Sequence, residues 1–300
     1  MEHSNLSTSL ARAHAHSQAL LRTPPSNILP DPAAIAQAEN SLASQLPEHA
    51  QSLDQTTTHL LTSIAPALNA SSLSPSYYGF VTGGVTPAAR VADSLVSLYD
   101  QNALVHLPEQ TVASKVEDRA LQLLMQLLKF KTTDWSGTFT TGATASNVLG
   151  LALGRESVIN AAVKSRGGGK TVGEDGLLKA CRAAGIEDIN IYTTKAHSSL
   201  GKAASLVGIG RGNVRDVGTG IEGLSFDFRK LEMGLKQDRQ AAIVAVSCGE
   251  VNTGSFATDG RPTIGRLRAL CDKYHAWLHV DGGMCSNSLD VYLSAELTTK

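Results

Sequence analysis

Over the first seventy residues the apolar positions recur at helical spacing. Asp31 and Pro32 supply an N-cap and a proline at the first helical position, which predicts a helix over 33–46; a second amphipathic run follows over 49–68, after Pro47. Residues 71–87, SSLSPSYYGFVTGGVTP, break that periodicity, and a helix is expected from Pro87 to about residue 101. A further helix, roughly 109–130, carries Val112, Val116, Leu121, Leu124 and Leu127 on a broad apolar face. From residue 138 the texture changes to short β-prone runs alternating with helical ones. The predicted strands are 137–141, 189–194, 241–247 and 276–281, with helices over 144–163, 198–207, 227–237 and 262–274. Strand and helix in that rhythm imply parallel pairing, so the expected fold class is α/β with a mostly parallel sheet and flanking helices. In such sheets reactive groups gather at the carboxyl ends of the strands, and four strand ends are expected to line one crevice.

Composition narrows the functions this pattern serves. The chain has 300 residues, 18% charged and 42% hydrophobic, with a formal net charge of -1, so no global field draws it to nucleic acid or anionic lipid. Aromatic content is only 5% against 27 glycines, which suits helices packed closely on a sheet better than an aromatic-rich sandwich. Cys181, Cys248, Cys271 and Cys285 stand far apart with no C-x-x-C pair, arguing against a zinc knuckle or a disulfide framework and for a reducing, cytoplasmic setting. The N-terminus lacks a basic start followed by an apolar core, and no long apolar stretch suggests a membrane span. H-E-x-x-H spacing is absent, so no metal site is expected.

Three segments at strand ends carry candidate chemistry. TTGATASN, 140–147, sets small residues and hydroxyls at the mouth of a helix, where free backbone N–H groups and the helix dipole suit a phosphate; an ordinary Ser/Thr cap on a core helix fits the segment equally well. His197 follows a predicted strand and precedes Ser198 and Ser199, a position from which an imidazole stacks on a planar ligand or donates a hydrogen bond; a structural or surface histidine fits the position equally well. Asp281 ends an apolar run and is followed by two glycines that permit close approach to the backbone. A carboxylate there needs a partner: a metal, an arginine, a helix N-terminus or a protonated ring nitrogen. The run Gly167-Gly168-Gly169-Lys170-Thr171 looks like a nucleotide loop, but Lys164 occupies the position where the Walker spacing requires glycine, and a surface loop over 165–176 is expected instead.

Taken together and in order, YYGFVTGGVTPAA (77–89), GTFTTGATASNVLGL (137–151), AHSSLGKAA (196–204), GEVNTGSF (249–256) and LHVDGG (278–283) resemble the pyridoxal-phosphate-dependent group II amino acid decarboxylases. That family includes aromatic amino acid, glutamate and diaminobutyrate decarboxylases. The resemblance implies the aminotransferase-like fold type I, with a seven-stranded large domain, a small C-terminal domain and a homodimer. By domain, it implies a helical arm over 1–76 and an incomplete cofactor-binding large domain over 77–300, with the small domain absent. Motif by motif, Ala143 and Thr144 would hold the cofactor phosphate, and His197 would stack on the pyridine ring and serve proton transfers. Asp281 would pair with the pyridinium nitrogen, and Gly283 would pack under the ring where relatives often have alanine. Asn252 and Thr253 would lie on the cofactor side, and Tyr77, Tyr78 and Phe80 would shape the pocket for an amino acid substrate. Gly249-Glu250 departs from the Gly-Thr of better-studied members. The Schiff-base lysine of relatives belongs to a His-Lys pair well downstream of this strand; Lys300 follows Thr299 and is not expected to serve. The resemblance therefore leaves two expectations, a carboxy-lyase whose lysine segment lies outside this sequence and an inactive short product that dimerises with a full-length paralogue.

Overall fold

In a computed structural model the chain is described over residues 2–81, 84–102, 105–220, 223–258 and 261–283. It divides into two compact units, Met1–Gln101 and Asn102–Lys300. Cys285 and Lys300 lie outside the described residues.

The first unit is helical. Helix α1 (Glu2–Arg22) is tied to α3 (Leu53–His59) by Arg12, whose guanidinium reaches Asp54 at 2.6 Å and Thr58 Oγ1 at 2.8 Å. Asp31 caps α2 (Pro32–Ser41) through the Ala33 N–H at 2.8 Å, as the Asp-Pro pair predicts, although the helix stops at Ser41 rather than 46. Ser52 and Gln55 form a reciprocal capping box that starts α3 later than the apolar periodicity suggests. Helix α4 (Pro87–Tyr99) starts behind a Thr86 cap and buries none of its side chains; Val91, Leu95, Val96, Leu98 and Tyr99 are all exposed.

The second unit contains α5 (Ala113–Leu127), α6 (Ala143–Ser165), α7 (Val172–Asp175) and α8 (Leu177–Ala184), then strand β1 (Asp188–Thr193) and helix α9 (Ser198–Leu206). Strands β2 (Val214–Asp216), β3 (Gly218–Thr219) and β4 (Ser225–Phe226) follow, then α10 (Phe228–Leu235), β5 (Gln240–Ser247), α11 (Arg261–Lys273) and β6 (Trp277–Asp281). Strands β2, β1, β5 and β6 form a parallel sheet in that order, with Ile191 opposite Ile243 and Ser247 opposite Asp281. One face packs Ile189, Ile191, Ile243 and Ala245 against Leu151, Ile159 and Val163 of α6 and Leu200, Ala203 and Ala204 of α9. The other packs Tyr192, Val244, Val246 and Leu278 against Leu231 of α10 and Ile264, Leu267 and Cys271 of α11. Cover on both faces explains why the strands read as nearly continuous apolar runs.

Two expectations are corrected. The run 137–141 forms no strand, because no partner ladder stands beside it among the described residues; Thr140 instead turns its hydroxyl to Gly142 O at 3.1 Å and Ser146 Oγ at 2.7 Å. Three expected strand ends, not four, therefore belong to the parallel sheet. The 165–176 stretch is not loop throughout: Thr171 and Glu174 form a capping box that starts α7, and Lys170 sits 3.7 Å from Asp175. Strand β2 and the β3–β4 pair escaped the periodicity because each has three residues or fewer.

Candidate active site

Helix α6 meets the edge strand β6 along a stripe of small residues. Side chains two apart on a strand share a face, and residues three or four apart on a helix share a stripe. Trp277, His279 and Asp281 accordingly face Gly154, Gly150 and Asn147 in turn. A Cβ on Gly154 would lie 2.6 Å from Trp277 Cδ1, and one on Gly150 would lie 2.6 Å from His279 Nδ1, so glycine at both positions is what lets the helix lie this close.

At the end of that stripe the polar groups converge. Asn147, 2% exposed, donates from Nδ2 to Asp281 Oδ2 at 2.9 Å and to Ser199 Oγ at 3.2 Å, while its Oδ1 lies 2.8 Å from His279 Nε2. Ser199 Oγ lies 2.7 Å from His197 Nδ1, which also accepts the Ser199 backbone N–H at 3.2 Å as the cap of α9. The Gly283 N–H donates to Asp281 Oδ1 at 3.3 Å. One connected network thus joins Asp281 and His197, which sequence reasoning singled out, through Asn147, Ser199 and His279, which it did not. His279 sits within an otherwise apolar run and Asn147 immediately precedes one, and a polar residue on the buried stripe of such a run is the signal that marks them.

Beside the network, α6 opens on Gly142 with no side chain capping its first turn, and the Ala143 and Thr144 side chains are exposed. Gly283 adjoins this mouth: a Cβ there would sit 3.3 Å from Ala143 Cβ. Free amides at a helix start suit an anion, and a carboxylate lies one turn away along the same helix face. The loop after β5 is built differently. Glu250 accepts from the Asn252 N–H at 3.1 Å, Asn252 Nδ2 at 2.6 Å, the Thr253 N–H at 2.9 Å and Thr253 Oγ1 at 3.0 Å. Burial works to raise the Glu250 carboxyl, but these hydrogen bonds outweigh it and hold it below the ordinary carboxylate value. The glutamate that departs from the familiar Gly-Thr therefore staples its own loop, and the donors of Asn252 and Thr253 point inward to it. Tyr78 and Phe80 are 90% and 93% exposed within the first unit, and Phe80 takes a left-handed φ of 55°.

Burial pushes the His279 imidazole below its ordinary value of 6.5, and the Asp281 carboxylate works against that shift. The unfolded chain therefore binds more protons than the native one as pH falls below 6.5. Stability contributed by neutral His279 is complete above that value and is lost as pH falls toward the lowered one. The melting temperature is expected to drop on acidification from about pH 7.5 to about pH 5.5, and His279→Gln is expected to flatten that part of the profile. Glu232 titrates in a separate window: hydrogen bonds from Tyr274 and Lys273 hold it at about 2, so its contribution is present above 4.5 and fades only as pH falls toward 2. A melting temperature that stays level over the upper window would contradict a buried neutral His279.

Comparison with known proteins identifies the fold and the family. The fold matches that of a glutamate decarboxylase domain from Vibrio parahaemolyticus, with TM-score 0.74 and 20% identity over 92% of this chain and 57% of that one. It also matches Oryza sativa TDC, solved with PLP and tryptamine, with TM-score 0.67 and 22% identity over 92% of this chain and 57% of that one. Rhodiola rosea 4-hydroxyphenylacetaldehyde synthase matches with TM-score 0.69 and 16% identity over 98% of this chain and 64% of that one. The fold is thus that of the pyridoxal-phosphate decarboxylase large domain, a parallel sheet with helices on both faces. Residues 36–288 match the pyridoxal-dependent decarboxylase conserved domain, and the chain belongs to that family. The L-2,4-diaminobutyrate decarboxylase of Acinetobacter baumannii is 24% identical over 195 residues, 64% of this chain and 37% of that protein. Mouse acidic amino acid decarboxylase GADL1 is 26% identical over 179 residues, 58% of this chain and 28% of that protein. The chain spans little more than half the length of its first structural neighbours.

Proposed function

We infer that this chain is the cofactor-binding portion of a pyridoxal-phosphate-dependent carboxy-lyase acting on an amino acid. The observation that carries the reading is the join between the uncapped mouth of α6 and the Asp281 carboxylate through Asn147. When bound, pyridoxal 5′-phosphate supplies an electron-withdrawing ring that accepts the charge left by departing CO₂. The protein's part is to hold and orient that ring. The backbone N–H groups of Ala143 and Thr144, at the dipole end of α6, would hold the phosphate. Asp281 would accept from the ring nitrogen, and a charge-assisted bond of that kind would favour its protonated form. His197 would stack on the ring with its Nε2 edge available for proton transfer, and Gly283 would leave room for the ring. Asn252 and Thr253 shape the cofactor side of the site through the Glu250 loop.

The same reading treats 1–76 as an arm, 77–300 as the incomplete large domain and the small C-terminal domain as lying outside this sequence. It also treats the linking lysine as lying outside this sequence, since no His-Lys pair occurs in it. Among the described residues no helix is long and apolar enough to cross a membrane. A cytoplasmic homodimer fits the exposed apolar face of α4, which at its present exposure of Leu95, Leu98 and Tyr99 suits burial against a second copy.

Two measurements separate these statements. Pyridoxamine 5′-phosphate, which needs no lysine, is expected to bind the chain in one-to-one ratio by calorimetry; absence of binding would overturn the cofactor reading. Incubation with pyridoxal phosphate and borohydride is expected to give no dominant adduct by intact mass. A stoichiometric adduct on one lysine would show instead that the chain carries its own linkage site.

A further inference from the structure

The geometry points to Asn147 as the positioning residue of the site, one side-chain amide that orients Asp281 directly and selects the tautomer of His197 through Ser199; its relevance to the cofactor rests on the reading just given. The polarity of the amide is set by its surroundings. Oδ1 faces His279 Nε2 at 2.8 Å, and the Nδ2 hydrogens face Asp281 Oδ2 at 2.9 Å and Ser199 Oγ at 3.2 Å. A flipped amide would set an acceptor oxygen against the Asp281 carboxylate and forfeit that hydrogen bond.

From this the remaining protons follow in order. His279, whose imidazole burial favours in the neutral form, carries its proton on Nε2 and donates it to Asn147 Oδ1. Ser199 Oγ already accepts from Asn147, so its own hydrogen is directed to His197 Nδ1, 2.7 Å away. The Ser199 backbone N–H points at the same nitrogen from 3.2 Å. With two donors on Nδ1, the neutral His197 ring carries its proton on Nε2, and that N–H is the edge it presents outward. Asn147 is 2% exposed and Ser199 3% exposed, so neither link is open to bulk solvent. Gly150 and Gly154 hold α6 against β6, which keeps the amide at hydrogen-bond distance from both strand residues.

The test uses the full chain, Asn147→Asp, Asn147→Ala and Ser199→Ala, with two readouts. Long-range proton–nitrogen correlations of His197 in the unligated protein are expected to show the Nε2–H tautomer in the parent and a larger Nδ1–H share in Ser199→Ala and both Asn147 variants, where the Ser199 backbone N–H is the one donor still directed at Nδ1. Pyridoxamine 5′-phosphate affinity is expected to fall about tenfold or more in the Asn147 variants, where the carboxylate loses its donor, and to change less than about threefold in Ser199→Ala. Circular dichroism identifies any variant that fails to fold, and Ser199→Ala then carries the tautomer test alone. An unchanged His197 tautomer in folded variants overturns the proposal, as does an affinity lowered equally by Ser199→Ala and Asn147→Asp. If the parent binds no pyridoxamine phosphate, the cofactor reading fails while the tautomer readout still decides the role of Asn147.

Discussion

Asp281→Ala is expected to weaken pyridoxamine 5′-phosphate binding by about 10- to 100-fold, the range that loss of one charge-assisted hydrogen bond of about 1.5–3 kcal/mol produces. The side chain closes β6 and is held from two directions, by Asn147 Nδ2 at 2.9 Å and the Gly283 N–H at 3.3 Å. Removing it deletes the acceptor for a ring N–H and leaves one Asn147 hydrogen buried without an acceptor, so the melting temperature is expected to fall as well. Asp281→Asn separates the two effects. An amide keeps the shape but not the charge, so affinity is expected to fall nearly as far while the melting temperature recovers in part. Calorimetric titration with scanning calorimetry on the same samples checks both, and an affinity within about threefold of the parent in both variants would remove Asp281 from the site.

The second large effect concerns the fit of helix to strand. Gly150→Ala is expected to destabilise the chain by about 1–3 kcal/mol, the usual cost of forcing one extra carbon into a packed contact. The new Cβ would lie 2.6 Å from His279 Nδ1, and the ring cannot retreat without giving up its bond to Asn147 Oδ1. Because the two residues share one contact, their effects are not independent. His279→Ala empties the space that the new methyl needs, so the double variant is expected to be more stable than the sum of the two single losses predicts. Denaturant unfolding of the four proteins measures that coupling, and strict additivity would show that α6 and β6 adjust freely past each other.

Much of this arrangement was legible in the residues. The runs that became β1, β5 and β6 are apolar enough to be recognised because a parallel sheet covered on both faces buries nearly every strand position. Asp281 and His197 stood out because each breaks such a run at its carboxyl end. The run 137–141, Gly-Thr-Phe-Thr-Thr, is also β-prone yet forms no strand: β-propensity describes how side chains fit a pleated surface, and a ladder also needs a neighbour in register. Glu250 looked like a departure from a motif, and only the closed loop shows it accepting four hydrogen bonds.

The sequence by itself determined the α/β class, the order of the long strands β1, β5 and β6 with the helices α9, α10 and α11, and the family, since these depend on local periodicity and on motifs read in order. Tertiary structure decided which polar residues act together. Asn147 and Asp281 are 134 positions apart and Asn147 and Ser199 are 52 apart, and nothing local to any of them records the others. Their meeting follows from α6 lying flat on β6, which two glycines permit, and from hydrogen bonds whose strength depends on distances that only the packed chain sets.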